Sequence, residues 1–547
     1  VYNLSEKLIG VVDCIFATAA NDIMVIKPIN DNWHRNLIPS YLCVKKSMTT
    51  LNTKFDLVIN NGRVMDPETG LDAIRNVGVK DGKIALITDQ PLQGTEVIDA
   101  TGHVVAPGFI DGHCHAANDA FAVKCGLRDG KTTQLDLEMG AWPVDKWYSR
   151  LEGRSQSNYG ASVAHFAIRD NVFSDITYAT GNLFLETWRS KDQWAVHKAS
   201  PEESKKILEK IEQGLKQGAL GVGTPIGYAT DALSSEEVME AWRLAGDYGL
   251  FATVHGRFSS FALPTEGMLG TLEAIACASM HGAGLLVHHY HAQVLSSVEV
   301  MAKHVDLARA KGVKVLLEMY PYTFGSSIIS ADYLRPENYN RQMGHSYSDI
   351  SLVQTGAALT QETYEQGNKV DPMTFILFEH CAEEDMVKAL AWPSVCLGSD
   401  AMPYQDAKGS RDAEGAMTVP FDFPDDEAIA HPRGAGAFAK AFRYVREQNL
   451  MPLMSAVAKS SYLLAKFMEE CGVPQMAAKG RMQVGADADI TIFNPETITD
   501  NATRQHGALP SSGIPFVIVN GIPVVKNSEV QEGVYPGKPI RNQVKTI

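Results

Sequence analysis

Cysteine is scarce in this chain, eight residues in 547, and no two form a CxxC pair. That excludes a disulfide scaffold and a zinc ribbon and fits a reducing, cytoplasmic setting. Positive charge is also short: 49 Lys and Arg face 64 Asp and Glu, for a formal net charge of -15. Neither nucleic acid nor an anionic membrane is expected as a main partner of such a surface. No apolar run approaches the roughly 18 residues that a membrane span needs. There is no low-complexity tract and no internal repeat beyond an alternation of strand-like and helix-like runs. What remains is 45% hydrophobic and 21% charged residues, the composition of a soluble globular protein long enough for a large domain and an accessory unit. A small-molecule partner is the expectation.

What the chain does have is the stretch Pro107-Gly108-Phe109-Ile110-Asp111-Gly112-His113-Cys114-His115. It follows Val104-Val105-Ala106, a short apolar run that reads as a buried strand. On an extended backbone residues i and i+2 point the same way, so His113 and His115 aim both imidazoles at one place. Neutral imidazoles suit zinc and similar divalent ions. A bare His-x-His is weak evidence, because structural histidines are common. Apolar strand, Pro-Gly turn, aspartate and His-x-His in this order favour a metal site.

Leu8 to Ala20 is apolar and ends in Ala17-Thr18-Ala19, the outline of a signal peptide, but Asp13 interrupts it. Residues 1–47 are expected to be an extension outside the fold, disordered or upstream of a natural start at Met48; a divergent signal sequence is the alternative. From Phe55 short β segments follow. Asp56 to Val64 reads as strand, Asn-Gly turn and return strand, and the device repeats around Asp81-Gly82. The C-terminus echoes this pattern from Ala488 and again from Phe516, so both chain ends are expected to build one small sheet domain. Between them βα units alternate. Strand-like runs begin at Ala161, Leu250, Leu285, Val313 and Val395, and helical runs at Ser204, Ser235, Thr271 and Ser297.

The Pro107–His115 stretch resembles the PGFIDxHxH motif that ends the first barrel strand in the amidohydrolase superfamily. Gly480 to Ile490 is similar to that family's closing segment, and the resemblance spans about Phe55 to Gln543. It implies an α/β fold: a (β/α)8 barrel over 107–474 with its metal at the C-terminal strand ends. An insertion at about 322–387 would interrupt it, and a β-sandwich would form from 48–106 and 475–547. Strand-end positions then give the expected metal ligands in order: His113, His115, Glu138, His255, His289 and Asp400, holding one or two zinc-like ions. On the sixth strand His288 and His291 compete with His289. Many amidohydrolases bridge two metals with a carboxylated lysine on the fourth strand, but Lys216 precedes that strand here. The D-aminoacylase subgroup instead carries a cysteine in a segment like "TTVVVGNCG". The corresponding Thr132 to Gly140 places Met139 there, and a thioether is a poor zinc ligand. Glu138 is the expected bridge, reached by a one-residue bulge, with Asp136 as its alternative.

Glu318 to Thr323, Leu397 to Asp400 with His431-Pro432-Arg433, and Gly513 to Gly521 also resemble the N-acyl-D-amino-acid deacylases. The function implied is metal-dependent hydrolysis of an N-acyl-D-amino acid. Water acidified by a divalent ion to a pKa of about 7 would attack the amide, with Asp400 as general base and then acid. Arg257, Arg433, Tyr320 and His291 are the candidates for holding the substrate, a guanidinium being the natural partner of its carboxylate. The insertion is longer than an ordinary connection and is expected to be a mobile cover. The competing readings are another amidohydrolase, such as a dipeptidase or cyclic amidase, and a non-catalytic scaffold relative.

Overall fold

The computed structural model describes residues 54–543 apart from 191–192 and 336–337, together with three short strands before residue 54. Residues 1–54 are a unit of their own, in which Ile23–Pro28 pairs antiparallel with Phe16–Ala17 and with Tyr41–Lys45. The expectation for residues 1–47 lies otherwise outside the described residues.

Eight parallel strands form the central sheet in chain order: Phe109–Asp111, Lys131–Ala141, Asn158–Ala164, Gly221–Gly223, Phe251–Val254, Gly284–Val287, Val315–Met319 and Val395–Leu397. The last returns to the first just past the strand ends. There Cys114 bridges Ala401, and His115 N–H donates to Ala401 O at 2.9 Å. Every residue of these strands is buried, because helices cover the outside and side chains fill the inside. Ile110, Leu135, Leu220, Phe251, Leu286, Leu316 and Cys396 make the floor of the barrel, plugged from below by Leu464, Phe467 and Met468 of the helix Leu463–Glu470. The polar strand-end residues are left to the opposite rim.

Local chemistry accounts for the boundaries. The helix Pro201–Lys216 starts before the expected Ser204 because Ser200 and Glu203 form a reciprocal capping box with proline at the first turn. The strand expected from Ala161 ends at Ala164, and His165–Ser174 is helical.

The chain ends pair as expected, with Val104–Pro107 antiparallel to Ile490–Phe493. They form one nine-stranded hydrogen-bonded network, the extra sheet domain expected of the two chain ends. Phe55–Asp66 is a single strand, not a hairpin. Asn61, at φ 63°, and Gly62 make a bulge in it, visible as a register shift against Leu71–Lys80 between Ile59 and Gly62. The Asp81-Gly82 turn does join two strands, Leu71–Lys80 and Lys83–Thr88, and both turn residues have positive φ.

The insertion carries a sheet of its own. Phe324–Ile328, Phe375–Glu379 and Ile350–Leu352 form a three-stranded antiparallel sheet with Phe375–Glu379 in the middle. Its apolar side chains, Ile328, Ile376 and Phe378 among them, join the main hydrophobic core. This cover lies over the C-terminal rim, and Ser326, Tyr333 and Phe378 line the cleft there.

Candidate metal centre

His113 and His115 leave the first barrel strand side by side. Asp111 fixes the turn: its carboxylate accepts the N–H groups of His113 and Ser399, each at 3.0 Å, and so ties the first strand to the eighth. Glu138 lies in the second strand where the register slips. Four residues, 137–140, lie between the paired Asp136 and Ala141, opposite the single Ser162 between Ala161 and Val163, a bulge larger than the single residue expected. Gly140, at φ 72°, permits it, since a Cβ there would lie 2.5 Å from Ser162 Oγ. Asp136 holds the bulge by accepting Gly140 N–H at 3.0 Å, and Met139 is buried in the core.

The bulge lets Glu138 present its two oxygens to two groups of donors. Oε2 lies 3.5 Å from His113 Nε2 and 3.3 Å from His115 Nε2, and Asp400 Oδ1 lies 3.4 and 3.3 Å from the same two nitrogens. Oε1 lies 2.9 Å from His289 Nε2 and 3.6 Å from His255 Nδ1. All six expected ligands are thus within reach of one another, and all are buried. Asp400 and His289 both have positive φ, 55° and 31°, strain of the kind kept at functional sites. Gly227 brings backbone against His255, where a Cβ would lie 2.4 Å from Cδ2.

Electrostatics tie the group together. Burial pulls the His113 pKa down, but Asp400, Glu138 and Glu318 outweigh it and hold the ring at about 10. Burial works against the charged form of Glu138 too, yet His113 and His289 keep its pKa well below the usual carboxylate range. Asp400 is likewise held low against burial, by Arg433 and His113.

The donor set fits a divalent cation. Glu318 Oε2 lies 2.9 Å from His113 Nδ1; a carboxylate only accepts, so that nitrogen carries its hydrogen and Nε2 faces inward. His113 Nε2, Glu138 Oε1 and both nitrogens of His255 are buried without a hydrogen-bond partner. Such orphans are costly unless something electropositive meets them. His289 is the exception. Gln293 Nε2 lies 3.1 Å from its Nδ1, and His289 Nε2 lies 2.9 Å from Glu138 Oε1.

The other expected residues divide. Arg433 is fully buried against Asp400, with Nη2 at 2.8 Å from Oδ1 and Nε donating to the Asp400 carbonyl, while Nη1 has no partner. Its guanidinium lies 4.6 Å from the Tyr320 ring centroid, and both residues line the cleft. Arg257 does not reach the site, a correction to the expected carboxylate contact. Its guanidinium forks onto Glu273 at 2.7 and 2.8 Å and donates to the carbonyls of Thr230 and Leu233. The chain leaves the strand at Val254, so alternation no longer governs the direction of residue 257. His291 is fully buried behind Tyr320, its ring centroid 4.7 Å away, and so does not meet the cleft as expected. His288 donates to Glu318 instead of joining the cluster, and Asp136 stands behind His115, 3.4 Å from Nδ1. Lys216 ends its helix half-exposed beside Glu212.

Two residues that hold the site had no role from sequence, Glu318 and Asp111. Glu318 Oε2 takes His113, His288 at 3.1 Å and the backbone N–H of His289 at 2.9 Å. Its signal was an acid inside the apolar run Val315–Met319, which a buried strand tolerates only when paired. A larger surface cleft, lined by Lys83, residues 474–487 and Lys538, shares no residue with this site.

No family model matches the chain. An N-acyl-D-glutamate deacylase of Alcaligenes xylosoxydans is 27% identical over 504 residues, 87% of this chain and 94% of that protein. The crystal structure of N-acyl-D-glutamate deacylase from Bordetella bronchiseptica, complexed with zinc and a phosphonate inhibitor, superposes with a TM-score of 0.70 at 23% identity, over 89% of this chain and all of that one. A D-aminoacylase structure described as defining a subset of amidohydrolases gives 0.68 at 22%, with the same coverage. The chain thus has the fold of these deacylase structures and resembles N-acyl-D-amino-acid deacylases in sequence over most of its length.

Proposed function

We propose that the chain hydrolyses the amide bond of N-acyl-D-amino acids with the help of one or two divalent ions, zinc being best suited to the donors. The observation that carries this reading is the pair of donor groups sharing Glu138, with Asp400 beside them at the foot of a closed cleft. His113, His115, Glu138 and Asp400 would hold one ion, and Glu138, His255 and His289 the other. A bound divalent cation supplies Lewis acidity and brings the pKa of water toward 7. Asp400, kept ionised by Arg433, is the base that takes the proton of the attacking water at Oδ1 and returns it to the leaving nitrogen. Arg433 Nη1 and Tyr320 Oη are the donors that orient the substrate's carboxylate. The rest of the cleft, Tyr228, Tyr333, Phe378 and Ser326, is neutral, and Arg433 is the one arginine or lysine among its described lining residues. A neutral substrate side chain therefore fits better than the acidic one in the name of the N-acyl-D-glutamate relative.

The test is amine release from N-acetyl-D- and N-acetyl-L-amino acids by metal-loaded protein, with Asp400→Asn as control. D-selective release, stronger for leucine or phenylalanine than for glutamate and lost in the control, is expected. Turnover of cyclic amides with none of the linear substrates would overturn the deacylase reading.

A further inference from the structure

Outside the Glu138 group, three more donors meet at the seam between the cover and the barrel. His291 lies in the short helix Tyr290–Val294 after the sixth barrel strand, and His380 and Cys381 follow the cover strand Phe375–Glu379. One ligand atom from each lies within 4.8 Å of the other two. Both imidazoles are buried, and the Nδ1 of each has no hydrogen-bond partner. Their other nitrogens are engaged: His291 Nε2 lies 3.4 Å from the Tyr322 carbonyl oxygen, and His380 Nε2 lies 3.1 Å from Tyr320 Oη. A carbonyl only accepts, so His291 carries its hydrogen on Nε2 and turns an unprotonated Nδ1 into the seam. Cys381 has no disulfide partner and is partly exposed as a residue, while burial pushes its thiol pKa up. Leaving a buried polar atom unmet is costly, and here two imidazoles each carry one beside a cysteine.

We propose that His291, His380 and Cys381 are a third ion site, for zinc(II), that staples the cover onto the barrel. Two imidazoles and a thiolate are donors that zinc prefers, with the fourth position left to water. The thiol gives up its proton to solvent on binding. Coordination through His380 Nδ1 also fixes the hydrogen of that ring on Nε2. It then donates to Tyr320 Oη, and the tyrosine hydrogen is left to point into the cleft. The staple thereby sets how Tyr320 meets a substrate.

Cobalt(II) loading of the full chain tests this, because a thiolate ligand adds a charge-transfer absorption in the near ultraviolet. The Glu138 group has no sulfur donor, so the band reports the seam alone. The wild type is expected to show the band, and both Cys381→Ser and His380→Gln to lose it together with one bound ion per chain. Two independent variants guard against one that fails to fold. Cobalt bound without the band, or a band that survives in Cys381→Ser, would overturn the seam site and leave the Glu138 site standing. No cobalt bound at all would overturn both.

Discussion

Glu318→Gln removes one charge from the site and almost no volume. In the wild type a single oxygen, Oε2, receives His113 Nδ1, His288 Nδ1 and the backbone N–H of His289, all between 2.9 and 3.1 Å. Glutamine with its amide oxygen in that place keeps all three hydrogen bonds but makes their acceptor neutral. Hydrogen bonds to charged groups contribute about 1.5–3 kcal/mol each and neutral ones about 0.5–1.5, a difference of about 1 kcal/mol per bond. Three bonds limit the loss to about 3 kcal/mol, roughly a hundredfold in an equilibrium constant. Two of the three, those to His113 and His289, orient expected ligands. Ion affinity should therefore fall about ten- to hundredfold, the range seen for outer partners of ligating histidines. Thermal stability should move little, because removing a buried carboxylate also removes its desolvation cost. Competition with a chromophoric chelator measures the affinity, and thermal unfolding of the metal-free protein measures the rest. Unchanged affinity would refute the positioning role of Glu318. A Tm loss as large as the affinity loss would make it a folding residue instead.

Metal uptake should release protons. His113 is held at about 10 by the carboxylates around it and must be neutral as a ligand, so below pH 10 at least one proton leaves as an ion enters. Affinity should then rise with pH up to about 10, by roughly tenfold per unit for each proton displaced. Calorimetry in buffers of different ionisation enthalpy counts those protons, and a count of zero would contradict the arrangement. Arg257→Ala should leave KM for an acylated amino acid within about twofold while lowering stability by about 1–3 kcal/mol, since it strands Glu273 and two carbonyls. A large rise in KM without a stability loss would return Arg257 to the substrate.

The barrel and the clustering of side chains at its rim were legible because each is encoded locally. His113 and His115 are two apart on an extended run, and Asp400 and His255 end short apolar runs. Glu138 was legible as a residue type, but the size of its bulge was not, because it depends on Gly140 meeting Ser162 of the neighbouring strand. The sheet within the cover was not legible for a similar reason. Its central strand, Phe375–Glu379, is a short apolar run that needs two partners, Phe324–Ile328 and Ile350–Leu352, from about 50 and 25 residues away respectively. Arg257 shows the limit of reading side-chain direction past a strand end, and the Asn61-Gly62 bulge shows that a turn dipeptide can also sit within one strand.

The sharing of Glu138 between two ions is the centre of this account. Anomalous diffraction at the zinc edge from zinc-loaded crystals tests it directly. Apart from a peak at the His291, His380 and Cys381 seam, two peaks are expected, one on each side of the Glu138 carboxylate, the first against His113, His115 and Asp400 and the second against His255 and His289. A barrel rim with no peak at Glu138, or an ion held there by Asp136 in its place, would contradict it.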